Sequence, residues 1–243
     1  MVKDSLMRFF GAGHFDKLKT IHSEKLRGKG HLKWTSLCLG LLFLLSCQSA
    51  YYGTMEKFGY HKRDLLVDRV QAARDSQEEA KEQFGSALEQ FRRVADFDGG
   101  DLEAQYDILK AAFDRSKSKA EAVENRVNSV EDVAEALFEE WKDELNEYTN
   151  ASLRRASANQ LRQTEEHYRK LISAMRRAEE KIQPVLSAFK DQVLFLKHNL
   201  NAKAIASLQS ELVSVESNVA SLIKEMETSI AEANAFISAM SQE

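Results

Sequence analysis

The chain has 243 residues, of which 30% are charged, 9% are aromatic and only Pro184 is proline. So little proline and glycine argues against an all-β fold, which needs a turn every few residues, and abundant Ala, Glu, Lys, Leu, Gln and Arg favours long helices. The net charge of −4 divides unevenly at Cys47: residues 1–46 carry eight basic and three acidic side chains, the remainder 26 and 35. Such an acidic body argues against nucleic acid as a partner, because phosphate binding draws its affinity from clustered Lys and Arg.

Residues 34–46, WTSLCLGLLFLLS, form an uncharged run of thirteen preceded by Lys33. A membrane-spanning helix needs about 20 apolar residues. The run therefore has the length of a signal-peptide core, and the basic leader before it carries the charge an export signal should have. It ends Leu44-Leu45-Ser46-Cys47. A branched apolar residue, then a small one directly before a cysteine, resembles the lipobox of bacterial lipoproteins; Leu45 departs from the smaller residue common at its position. The resemblance implies cleavage between Ser46 and Cys47, diacylglycerol on the Cys47 thiol and acylation of the new amino terminus. An uncleaved signal anchor with an incidental cysteine is the alternative. Cleavage would remove Cys38, leaving Cys47 as the sole cysteine and no internal disulfide. One acyl chain binds a bilayer marginally, at about 0.8 kcal/mol per buried CH₂, whereas two or three hold firmly. By the same resemblance, Gln48 rather than Asp implies the outer membrane, with the body on the periplasmic face. The stretch before the run, 33 residues long, reads either as an amphipathic surface helix or as the product of a start codon placed too early.

The expected organisation is thus a signal with a long basic leader over 1–46, a lipidated cysteine and short polar tether over 47–53, and a helical body over 54–243. Tyr51, Tyr52, Phe58 and Tyr60 follow the cysteine. Their rings suit the membrane interface, or equally packing on the end of the body.

Leu66, Val70, Ala73, Gln77, Ala80, Phe84, Ala87, Phe91 and Val94 are spaced alternately by four and three. Only a helix brings such positions to one face. Gly99-Gly100 then frees the backbone for positive φ, and Asp101 can cap the next helix. A second stripe runs Leu102, Tyr106, Leu109, Phe113, Ser116, Ala120, Val123, Val127, Val130, Ala134, Leu137 and Trp141. Its phase slips near residue 150, where Asn150 or Ser152 can cap a third helix. That helix carries Leu161, Thr164, Tyr168, Leu171, Met175, Ala178, Ile182, Val185, Phe189, Val193, Leu196 and Leu200, with Pro184 expected to kink it. His198 to Ala202 reads as a turn whose asparagines tolerate left-handed backbone. The fourth stripe is Ile205, Leu208, Leu212, Val215, Val219, Leu222, Met226, Ile230, Ala233, Ile237 and Met240. The expected fold is all-α: four long antiparallel helices of roughly 40–50 residues in a coiled-coil-like up-down-up-down bundle. The alternative is an elongated rod in which the second and third helices form one very long central helix.

The segments YYGTMEKFGYHKRDLLVDRV, ALFEEWKDELNEYTNASLRRAS, PVLSAFKDQVLFLKHNLNAKAIASL and SIAEANAFI resemble a family of uncharacterised bacterial proteins, the domain of unknown function numbered 2959. The resemblance covers about Tyr51 to Ile237. Members often carry a lipoprotein signal, so it implies an envelope address; it implies no activity and brings no site residues.

No chemistry-bearing motif competes with this reading. The body has three histidines, His61, His167 and His198: residue 164, where Glu-x-x-His needs an acid, is Thr164, and Leu194 and Phe195 precede His198 at helical spacing, so solvated surface histidines are expected. No metal and no cofactor is expected. There is no Gly-x-Ser-x-Gly, and Gly99-Gly100 lacks the Lys and spacing of a phosphate loop. Arg154-Arg155 and Arg176-Arg177 read as solvated pairs that could touch lipid head groups or peptidoglycan. The expectation is a non-enzymatic structural or interaction protein, partnered by the membrane through its anchor and by another protein or its own copies through its helices. The alternative is a binding module for a lipid or small apolar ligand in the bundle core.

Overall fold

The computed structural model describes residues 62–241. They form α1 (Lys62–Ala95), α2 (Leu102–Glu144), α3 (Ala151–His198) and α4 (Ala202–Ser241). Each helix packs on the next and α1 closes the ring against α4. The cross-links fix the directions. Lys62 pairs with Glu140 at 2.7 Å and Lys119 with Glu79 at 2.6 Å, so α2 runs against α1. Arg63 donates to the Met240 carbonyl at 2.8 Å and Arg92 pairs with Glu216 at 2.6 Å, so α4 also runs against α1. This is the expected up-down-up-down bundle.

The rod is excluded because α2 stops at Glu144 and a new helix starts at Ala151, running back along it. The Asn150 side chain makes the start, accepting from the Ser152 and Leu153 N–H groups at 2.8 and 3.2 Å. Asp101 caps α2 likewise through Glu103 and Ala104. The turn before it needs its glycines: Gly100 has φ +120°, and a Cβ there would stand 3.3 Å from the Phe97 ring.

One local expectation needs correction. No asparagine is left-handed in the last turn; Asn199 has φ −135°. Asn201 serves instead as a cap, accepting from Lys203 and Ala204 N–H. Pro184, where a kink is expected, lies inside α3, whose helical span is continuous across it. Pro184 and Glu180, whose carbonyl loses its usual N–H partner, both lie on the exposed side.

The first stripe is buried at all nine positions. In the second stripe the middle is buried, while Leu102, Tyr106, Phe113 and Trp141 are only half-buried. A straight helix drifts about 20° per heptad from a 3.5 repeat; over so many heptads both ends rotate off the seam, and Ala112 takes the inward place beside Phe113. Leu200 lies outside α3 and is exposed. In α4 the buried row passes through Ser229 and Phe236 rather than Ile230 and Ile237, which sit on its flank. The centre is filled by Phe84, Phe91, Phe189, Phe236 and Met175.

Candidate functional site

The seam between α2 and α3 has two halves of different character. The half nearer Glu144 and Ala151, called the lower half below, is clamped. Arg176 reaches from α3 to Asn128 at 2.8 Å and to both carboxylate oxygens of Glu131, and it holds Glu179 on its own helix at 2.6 Å. The hydrogen bond to Glu131 raises the Arg176 pKa further above its ordinary value, so this guanidinium is a fixed charge. Lys142 pairs with Glu165 at 2.7 Å, and Trp141 Nε1 donates to Ser157 Oγ at 2.8 Å. The Phe138 and Tyr168 rings meet edge to face at 5.3 Å.

The upper half is open. A groove of about 640 Å³ runs between the helices over a floor of Phe113, Ala120, Ile182 and Leu186. Its rim is polar and mostly charged, with Lys117, Glu121 and Glu124 on α2 and Glu180, Gln183 and Lys190 on α3. The cause is local: the small Ala120 faces α3 where a large side chain would fill the gap, and Phe113 has turned off the bundle axis. Leu194, four residues on from Lys190 and 46% exposed, extends the apolar line towards the top of the bundle.

Tyr168 gives the clamp a measurable signature. Burial first, and then the Glu131 charge, pushes its pKa up to about 12. The phenol of the unfolded chain ionises near pH 10, so this site's contribution to stability is complete below about pH 10 and is lost as pH rises towards about 12. Over that range the urea midpoint should fall further for the native chain than for Tyr168→Phe; equal falls would contradict the burial.

Ser46, Cys47, Tyr51, Tyr52, Phe58, Tyr60 and His61 lie outside the described residues. His167 and His198 are exposed on α3. Among the described residues no three His, Cys, Asp or Glu side chains are placed to hold a metal ion, and no helix is long and apolar enough to cross a membrane. Of the pair Arg176-Arg177, expected to be solvated, Arg176 is engaged between helices, while Arg177 stays exposed, donating to Ser173 on its own helix and standing 3.6 Å from Glu225. The groove was not foreseen. Its signal in the sequence is a half-buried Phe113 beside an Ala at the next inward position, which periodicity alone does not distinguish from a filled core.

No curated protein matches the chain. Residues 51–240 match one family model, covering the whole described bundle almost to its end. The chain therefore belongs to the family described as protein of unknown function (DUF2959).

Proposed function

We propose that this is a lipid-anchored protein of the bacterial cell envelope that acts through its helical faces, as a structural or protein-interaction module, with the α2/α3 face as its working surface. The observation that carries the reading is the open upper seam: an apolar floor between two helices, rimmed by charge, is the form of groove into which a partner helix lays its own apolar stripe. The lipobox-like sequence at Cys47 supports the address.

A photo-crosslinking residue placed at Gln183 in the full-length chain, in its own host, tests the role. Protein adducts are expected there and not from Glu227 on the outer side of α4. Adducts of equal yield from both positions, or none from Gln183, contradict it.

One observation favours a second reading. The groove volume falls in the range of small-molecule sites, about 300–1,000 Å³, so an apolar ligand is an alternative occupant, held in the seam rather than the bundle centre. Native mass spectrometry of protein purified from its host decides this. A co-purifying apolar molecule that disappears in Leu186→Glu supports it; a ligand-free native chain rules against it.

A further inference from the structure

We propose that two copies of this chain pair side by side through the lower half of the α2/α3 face, parallel to each other, with α3 of each copy lying on α2 of the other. The proposal rests on the reading that the body works through its helical faces, and it names the partner and the surface.

Arg155, Arg162, Arg169 and Arg176 repeat every seven residues along α3. Seven residues are nearly two turns, so the four lie on one face with slow drift. Arg176 is held by Glu131. The other three are exposed and, among the described residues, donate only to neutral oxygens of their own helix: Arg155 to the Ala151 carbonyl at 3.2 Å, Arg162 to Asn159 Oδ1 at 3.1 Å and Arg169 to the Glu165 carbonyl at 3.3 Å. They form a row of positive charge about 21 Å long, with no ion pair among the described residues, on a body whose balance is acidic.

The neighbouring helix carries the opposite row. Asp132, Glu135, Glu139 and Asp143 on α2 follow spacings of three, four and four, which is again one helical face. All four are exposed, and among the described residues none pairs with a cation. Three of them directly follow residues that touch α3: Glu131, Phe138 and Lys142. They therefore sit about 100° further round, on the outer side of the seam. The two rows are also level. Glu165, between Arg162 and Arg169, is paired at 2.7 Å with Lys142, between Glu139 and Asp143.

Two level rows of opposite sign, side by side on one face, select a symmetry. A two-fold axis parallel to the helices places each arginine row on the partner's acidic row. A two-fold axis in the same plane but across the helices would set arginine on arginine. The selected axis points the Lys62 end of both copies the same way, which is the arrangement two chains held on one membrane require. The contact is confined to the lower half, because higher up it would bring Glu180 towards the partner's Glu121 and Glu124; the groove stays open. The acidic row beside the arginines also argues against an anionic lipid surface, which would repel it. Exposed ion pairs are individually weak and screened by salt, so the pairing depends on the high effective concentration that a shared tether provides.

The test uses two differently tagged full-length chains, Glu139→Cys and Arg162→Cys, produced together in the host and oxidised in place. The mixed disulfide dimer should exceed either homodimer, and the background of the unsubstituted chain, by about tenfold. Changing Arg155 and Arg169 to Glu in the second chain should lower it about fivefold, and changing Glu135 and Asp143 to Lys in the first should then restore it. All these positions are exposed, and circular dichroism checks that each variant stays helical. A dominant Arg162→Cys homodimer, a mixed dimer indifferent to charge reversal, or no mixed dimer from helical chains would each overturn the pairing. So would cysteine variants that give no mixed dimer while the native chain binds phosphatidylglycerol vesicles through its arginine row. None of these results bears on adducts formed at Gln183, so the pairing and the groove can fail separately.

Discussion

Replacing Phe91 with alanine is expected to destabilise the bundle by about 3–5 kcal/mol. Phe91 is fully buried in the first stripe, and its ring lies 6.2 Å from that of Phe189 on the diagonally placed α3. Truncation removes the transfer free energy of the ring and opens a cavity that four long helices, fixed by packing along their whole length, cannot collapse to fill. For a body of this size each kcal/mol lowers the melting temperature by roughly 2–4 °C, so a fall of about 6–20 °C is expected. Leu153→Ala, at a position 57% exposed on the first turns of α3, should stay within about 0.5 kcal/mol of the native chain. Similar losses at both positions would mean that the core does not lie where the buried stripes put it. A cycle with Phe189→Ala should show coupling, because the two rings share one cavity.

The second large effect has the opposite sign: Gln77→Met is expected to stabilise the chain by about 1–3 kcal/mol. Gln77 is the polar member of the first stripe. It is fully buried, and neither end of its amide has a hydrogen-bond partner among the described residues. Burying such a group unsatisfied costs about 1–3 kcal/mol, which an apolar side chain of similar length removes. The Ser229 hydroxyl on α4 is also buried and unpartnered. The register set by Arg74 with Asn234, and by Arg92 with Glu216, places Gln77 opposite the stretch of α4 that holds it. The two polar groups therefore share one stretch of an otherwise apolar seam. A polar residue at a seam position disfavours slipped registers at the expense of stability, so the Met variant should gain in urea midpoint. A loss of more than about 1 kcal/mol would show that the amide is bonded in solution, and would return the bundle centre to consideration as a ligand site.

Much of this architecture was legible in the residues. Four stripes of alternating four and three spacing forecast four helices, Gly99-Gly100 and Asp101 marked the first reversal, and the phase slip near residue 150, with Asn150 or Ser152 as cap, marked the second. The signals that succeeded are local: a glycine that needs positive φ, a side-chain oxygen two or three residues ahead of free N–H groups. What failed was whatever depends on accumulated rotation. A strict heptad cannot show that Phe113 has turned from the axis into the α2/α3 seam, or that α4 buries Phe236 in place of Ile237, because the drift emerges only when four helices settle against each other. Charge was the other blind spot. In the sequence Arg154-Arg155 and Arg176-Arg177 look like equivalent pairs. Folding hands Arg176 to Glu131 and leaves Arg155 facing outward. Which arginine is free is a property of the neighbouring helix, and no single stretch of chain contains it.

The proposed membrane address at Cys47 is the central claim. The mass of the amino-terminal peptide of the mature protein, purified from its own host, tests it most directly. The predicted result is a chain beginning at Cys47 with diacylglycerol on its thiol and an acylated amino group. A mature chain that retains residues 1–46, or one that begins at an unmodified residue, would contradict it.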